Sequence, residues 1–179
     1  MKYAEELKKS MEFLATDERV VFLGQAVADK GTAMTNSLVD VAEDKKIEWT
    51  VTEDMQMGAS IGMALEGLIP VSFYPRWNFL CLATNQLVNH LDKLPAMSDW
   101  QYTPRVIIRT SIGAQRPLHP QHQHVDDFTE AYQSMCGNHV EVIRLDEPEE
   151  IFEAYHLALT RKDNKSTVLV EWGDYHGEK

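Results

Sequence analysis

Short apolar runs alternate with helical periods along this chain, and that alternation narrows the fold more than any other feature. Val20 to Leu23, Ile47 to Val51, Val71 to Tyr74, Val106 to Arg109, Val140 to Ile143 and Thr167 to Glu171 have the length and composition of strands in a covered sheet. Between them, Tyr3, Leu7, Met11 and Leu14 recur at helical spacing, which predicts a helix over residues 3–15. Thr35 to Glu43 reads as a short helix and Met55 to Glu66 as a longer one. Asn78 is the expected cap of a long helix whose buried face carries Phe79, Ala83, Leu87, His90 or Leu91, and Leu94. Val125, Phe128, Tyr132 and Met135 trace a further helix. Ile151, Tyr155 and Ala158 or Leu159 trace the last, with Asp146 as its cap and Glu149 three residues on. Residues 25–34 and 111–124 read as loops. Alternation of this kind predicts a three-layer α/β/α sandwich around a mostly parallel sheet of about six strands, with residues 1–179 as one domain.

The most informative stretch runs from Ile47 to Val71. A β-rich run ends near an acid, Glu53, where a helix begins, and open α/β sheets place ligands at such carboxyl ends. Gly58 and Gly62 lie four apart and share one helix face, which would let another backbone approach closely. Glycine costs a helix about 1 kcal/mol relative to alanine, so two on one face point to a packing need. An ordinary strand-loop-helix unit with an exposed Glu explains the same spacing.

Composition removes several classes. The net charge is −11, from 28 acidic and 17 basic residues, without the basic footprint of a nucleic-acid binder. The apolar runs fall short of the roughly 20 residues of a membrane helix, and Met1 to Lys9 has no apolar secretory core. Cys81 and Cys136 form no CxxC motif, and a reducing cytoplasm is the expected compartment. No Walker or Rossmann glycine spacing occurs, and Gly24-Gln25-Ala26 fits neither.

The loop containing Arg116, His119, His122 and His124 is the densest cluster of reactive side chains. Imidazoles there fit acid/base work and substrate orientation near neutral pH, and Arg116 suits an anionic group. A zinc site lacks a nearby cysteine or carboxylate at a familiar spacing, so no metal ligand is assigned. A solvated polar loop is the plain alternative. On the preceding long helix, His90 reads as a satisfied, partly buried histidine.

Taken together, the segments resemble the pyrimidine-binding domain of thiamine-diphosphate enzymes of the transketolase superfamily, with the beta subunit of the first component of 2-oxo acid dehydrogenases as the nearest likeness. The resemblance rests on Val21 to Gly24, Thr52-Glu53 with Gly58 to Gly62 and Gly67 to Pro70, and Trp77 to Phe79. It continues through Asn85 to His90, Met97-Ser98, Arg105 to Arg109 with Ile112-Gly113, and Pro120 to His122, in family order. It implies the thiamine-diphosphate-binding fold and a role for each matched residue. Glu53 would hydrogen-bond N1′ of the cofactor's aminopyrimidine and so favour loss of the thiazolium C2 proton. Burial disfavours an ionised carboxylate, which lets a carboxyl group share a proton with a ring nitrogen. Phe79 would stack on the pyrimidine, and His122 would meet substrate. Gln25 stands near the cofactor where the family often has an acid.

The resemblance also implies a partner. The only Gly-Asp pair, Gly173-Asp174, lacks the remainder of the motif that holds Mg²⁺ and the diphosphate in this superfamily. A separate subunit carrying the diphosphate-binding domain and Mg²⁺ is therefore expected, in an α2β2 heterotetramer, with Gly58 and Gly62 at a subunit contact. The dehydrogenase beta subunit continues into a further C-terminal domain, and this chain does not. The expected activity is thus that of a split, transketolase-like transferase making or breaking a C–C bond next to a carbonyl of a ketose or 2-oxo acid. A beta-type subunit of a 2-oxo acid dehydrogenase or decarboxylase, or a non-catalytic scaffold, are the alternatives. Arg116, His119 and His124 favour a polar or anionic substrate.

Overall fold

The computed structural model describes residues 2–28, 34–116 and 119–175. Part of the expected 25–34 loop, and Pro117-Leu118 of the histidine loop, lie outside the described residues.

The apolar runs become strands: β1 (Val20–Gly24), β2 (Lys46–Glu48), β3 (Ile69–Phe73), β4 (Ile107–Ile112), β5 (Val140–Arg144) and β6 (Ser166–Trp172). They form one six-stranded sheet in the order β2-β1-β3-β4-β6-β5. Each neighbouring pair is parallel. Leu23, Val71, Ile107, Ile108, Val168 and Val170 are completely buried, as strands covered by helices on both faces require.

Helices α1 (Tyr3–Ala15) and α6 (Pro148–Thr160) cover one face. Tyr3, Leu7, Met11 and Leu14 of the first pack with Ile151, Tyr155, Ala158 and Leu159 of the second over β1 and β3. The other face is covered by α2 (Glu53–Leu65), by a broken helical segment from Trp77 to Met97, and by α5 (Thr129–Met135). This is the expected three-layer α/β/α sandwich. Among the described residues no helix is long and apolar enough to cross a membrane.

Several local expectations need correction. β2 ends at Glu48, short of Val51, and is a partly exposed edge strand, because it pairs only with β1. The Thr35 to Glu43 segment is a 3-10 turn at Thr35–Leu38 with a second at Glu43–Lys45. The long helix after β3 is not continuous. It consists of α3 (Trp77–Leu80), a 3-10 turn, a π-helical segment at Gln86–Leu91 and α4 (Leu94–Met97). In the π segment the Asp92 N–H reaches back to the Leu87 carbonyl at 3.0 Å, one residue further than an α-helical bond. Along the broken segment Ala83, Leu87 and Leu91 stay in the core, while Phe79 is half-buried and His90 exposed. His90 Nε2 lies 3.3 Å from Asn85 Nδ2. Arg76, not Asn78, precedes α3. Glu147, not Asp146, precedes α6, and Glu150 takes the part expected of Glu149: its carboxylate accepts the N–H groups of Asp146 and Glu147.

Candidate functional site

The chain leaves β1 outward to β2, then crosses back over β1 to β3. The carboxyl ends of β1 and β3 therefore open a crevice where connections leave in opposite directions, the usual ligand position in such sheets. A cavity of about 300 Å³ lies there, lined by Gln25, Thr35, Phe73, Arg76, Ser111 and Gly113 among others. Gly24 makes the close approach of the two strands possible. A Cβ on it would stand 2.8 Å from Phe73 Cβ and 2.9 Å from its carbonyl oxygen.

Glu53 sits beside this cavity at the first turn of α2, only 5% exposed. Its position follows from how α2 is anchored. One turn on, the buried Gln56 amide donates to Ser72 Oγ and to the Phe73 carbonyl, both at 2.9 Å. Ser60 Oγ adds a bond to the Gln56 carbonyl. The helix start is thereby fixed to β3. Tyr74 donates its hydroxyl to the Glu53 carbonyl at 3.4 Å, and burial pushes its phenol pKa well up, so it remains a donor. Gln25 Nε2 donates to Glu53 Oε1 at 3.4 Å. The loop bearing Gln25 is held by Glu48, which accepts the N–H groups of Ala26 and Ala28. Gln25 thus links the wall of the cavity to one oxygen of Glu53, and the second oxygen has no hydrogen-bond partner among the described residues.

Of the remaining expected site residues, Phe79 and His124 meet each other. The Phe79 ring carries the His124 imidazole at a centroid distance of 4.9 Å and an interplanar angle of 20°. A flat heteroaromatic ring thus lies on one face of Phe79. His124 has a φ of 65°, and its buried Nδ1 has no hydrogen-bond partner among the described residues. His119 and His122 are exposed, and His119 Nδ1 accepts the Gln121 N–H. Arg116 is exposed and tied to Asp174, which accepts its backbone N–H at 3.0 Å. Arg116, His119, His122 and Phe79 are not among the described residues lining the cavity. Among the described residues no three or more His, Cys, Asp or Glu side chains are grouped so as to hold a metal ion.

Sequence reasoning passed over Arg76, Ser111 and the Gln56–Ser72 anchor. Pro75-Arg76 directly after an apolar strand was the available signal for the first. The anchor joins residues 16 apart and left none.

The sheet order and the acid at a helix start have a family behind them. The chain belongs to the transketolase pyrimidine-binding domain family, whose model matches residues 3–172. It is similar to the pyruvate dehydrogenase E1 component subunit beta of Rickettsia conorii, 27% identical over 172 residues that cover 93% of this chain and 51% of that protein. The chloroplastic beta-3 subunit of the same component in Arabidopsis thaliana is 32% identical over 130 residues, 70% of this chain and 31% of that protein. Among solved structures, a split-gene transketolase described as an inactive β4 tetramer aligns with a TM-score of 0.63 at 13% identity, over 94% of this chain and 50% of that one. That likeness concerns the fold. The chain spans about half the length, or less, of these relatives.

Proposed function

We propose that this chain is the pyrimidine-binding half of a thiamine-diphosphate-dependent enzyme, working with a separate subunit that carries the diphosphate-binding half and Mg²⁺. The observation that carries this reading is Glu53, buried at the start of α2, with one oxygen held by Gln25 and the other without a hydrogen-bond partner among the described residues. When bound, the cofactor would supply a carbon nucleophile and an electron sink for making or breaking a C–C bond next to a carbonyl. Glu53 would hold a proton at the pyrimidine N1′, and Gln25 would fix the orientation of its carboxyl group. Phe79 would give the ring a stacking surface, with the His124 imidazole moving aside. His122, at the exposed edge of the same loop, would orient substrate or move a proton there, and His119, His124 and Arg116 would border its approach.

The relatives' names support two versions of the reaction, a transketolase-like transfer and 2-oxo acid oxidation or decarboxylation. The partner would dock on the outer face of α2. Gly58 and Gly62 are exposed there, and a Cβ on either would meet nothing within 4 Å. Their lack of side chains therefore serves no packing inside the described chain. An α2β2 assembly places two such faces in one particle.

The test is exchange of the cofactor C2 proton for deuterium, followed with the chain co-assembled with its diphosphate-binding subunit. The complex is expected to accelerate exchange, and Glu53→Gln to slow it by about a hundredfold or more, the scale of general acid–base assistance. Exchange no faster than for free cofactor, or unchanged by the substitution, overturns the reading.

A further inference from the structure

Arg76 is the one charged residue among the described residues that line the cavity between β1 and β3. Its guanidinium forms no ion pair and no side-chain hydrogen bond with the described residues, although the chain carries a net charge of −11. It does not close α3, which has no side-chain cap. Its backbone, in contrast, is held from both sides. The Tyr74 N–H donates to the Arg109 carbonyl at 2.8 Å, and Ser111 Oγ donates to the Pro75 carbonyl at 2.6 Å. The Arg76 carbonyl accepts the N–H groups of Phe79 and Leu80. A cationic residue on a fixed backbone, lining a half-enclosed cavity together with the polar Gln25 and Ser111, suits an oxyanion. A guanidinium meets carboxylate or phosphate oxygens through two parallel N–H bonds.

We propose that Arg76 binds the anionic head of a small carbonyl substrate, the carboxylate of a 2-oxo acid or the phosphate of a sugar phosphate. This rests on the thiamine-diphosphate reading only for where the carbonyl reacts. Gln25 lines the same cavity and bonds Glu53, so a substrate held by Arg76 lies one side chain from the acid. The cavity holds a few-carbon acid, and its open side leaves room for a longer chain. In a chain this acidic, a cation at the cavity also gives an anion its local reason to enter.

The experiment follows the arginine Nε–H resonances of the isotope-labelled full chain by NMR, with pyruvate in one arm and inorganic phosphate in the other. The Arg76 resonance, assigned by its loss in Arg76→Gln, is expected to shift and saturate, and the substitution to weaken binding about tenfold or more. Saturation by pyruvate assigns the carboxylate and saturation by phosphate the phosphate. The backbone spectrum of the variant shows that it is folded. If neither anion shifts the resonance, or a folded Arg76→Gln chain binds as tightly as the wild type, the proposal is overturned. In the assembled complex, Arg76→Gln should raise substrate KM and leave C2 exchange unchanged. A loss of cofactor affinity with KM unchanged would also overturn it. Anion binding without C2 exchange would retain Arg76 and remove the cofactor reading.

Discussion

On one face of the sheet, α1 and α6 bury their apolar stripes against each other and the strands, and few large apolar side chains remain outside. On the other face, Met55 and Leu65 of α2 stand in solvent with Val51 just before the helix. Leu82, Met97, Trp100 and Tyr102 are exposed along and just after the broken segment, with Met97 reaching 76%. Apart from Val39 and Leu157, the exposed large apolar residues belong to or flank elements on this second face. Both faces obey the same folding rules and cover their strands. The difference is that the second keeps several large apolar side chains in solvent, among them Val51, Met55, Leu82 and Met97, where the first keeps few. The first face is finished within the chain, and the second is consistent with a half-built enzyme.

Breaking the finished face should cost most. Arg109 and Glu171 are fully buried and paired through Nε at 2.6 Å and a second nitrogen at 2.9 Å. Arg109 also reaches Ser37 and lies over the Phe73 ring, and Tyr155 donates to Glu171. Burial alone would lower the guanidinium pKa, but Glu171 and Tyr155 outweigh it and keep the group charged. Arg109→Leu would strand the carboxylate in the core. The expected loss is about 3–5 kcal/mol of unfolding free energy, measured by urea denaturation. A loss under about 1 kcal/mol would show that Glu171 finds another partner and that this face is less closed than it looks.

The second face has its own internal tie, smaller and dependent on pH. Asp92, buried at the end of the π segment, accepts the N–H groups of Gly137, Asn138, His139 and Val140 and the Asn138 amide. Burial pushes its carboxyl pKa up, but these donors outweigh it and hold the group below the ordinary carboxylate range. A depressed folded value stabilises above the unfolded pKa of about 4 and loses that contribution as pH falls through the folded value. Asp92→Asn should therefore cost about 1–3 kcal/mol at neutral pH. Its gap to wild type should narrow below about pH 4, which parallel urea titrations would show. A gap that stays constant would mean the ionised form is not what binds these donors.

What the residues disclosed follows the same division. The strands of the interior were legible because continuous apolar runs such as Val106 to Ile108 have no other stable place. β2 was drawn too long because Glu48 to Val51 looks β-forming, while a strand with one neighbour can end as soon as pairing stops. The broken helix escaped because the step from α to π turns changes which carbonyl is bonded without changing residue type. Glu53 and Phe79 were visible through resemblance. For Arg76 the signal was weak: Pro75-Arg76 follows an apolar strand, but that position alone does not separate a surface arginine from one lining a cavity. Gly58 and Gly62 read as a packing need, but a Cβ on either would meet nothing within 4 Å, so no packing among the described residues requires them.

The smallest predicted effect separates the two faces most sharply. Gly62 is exposed in the middle of α2, and its added Cβ would touch nothing. Gly62→Ala should therefore stabilise the chain alone, by up to about 1 kcal/mol, because alanine loses less backbone entropy in a helix. The natural glycine gives up that stability, and under the proposed docking of a partner on α2 the return would be close approach of another backbone. Gly62→Leu should then fold at least as well as wild type by thermal denaturation, yet fail to co-elute with the diphosphate-binding subunit. If the leucine variant assembles normally, the outer face of α2 is not the docking surface, and the exposed residues from Leu82 to Tyr102 become the place to look.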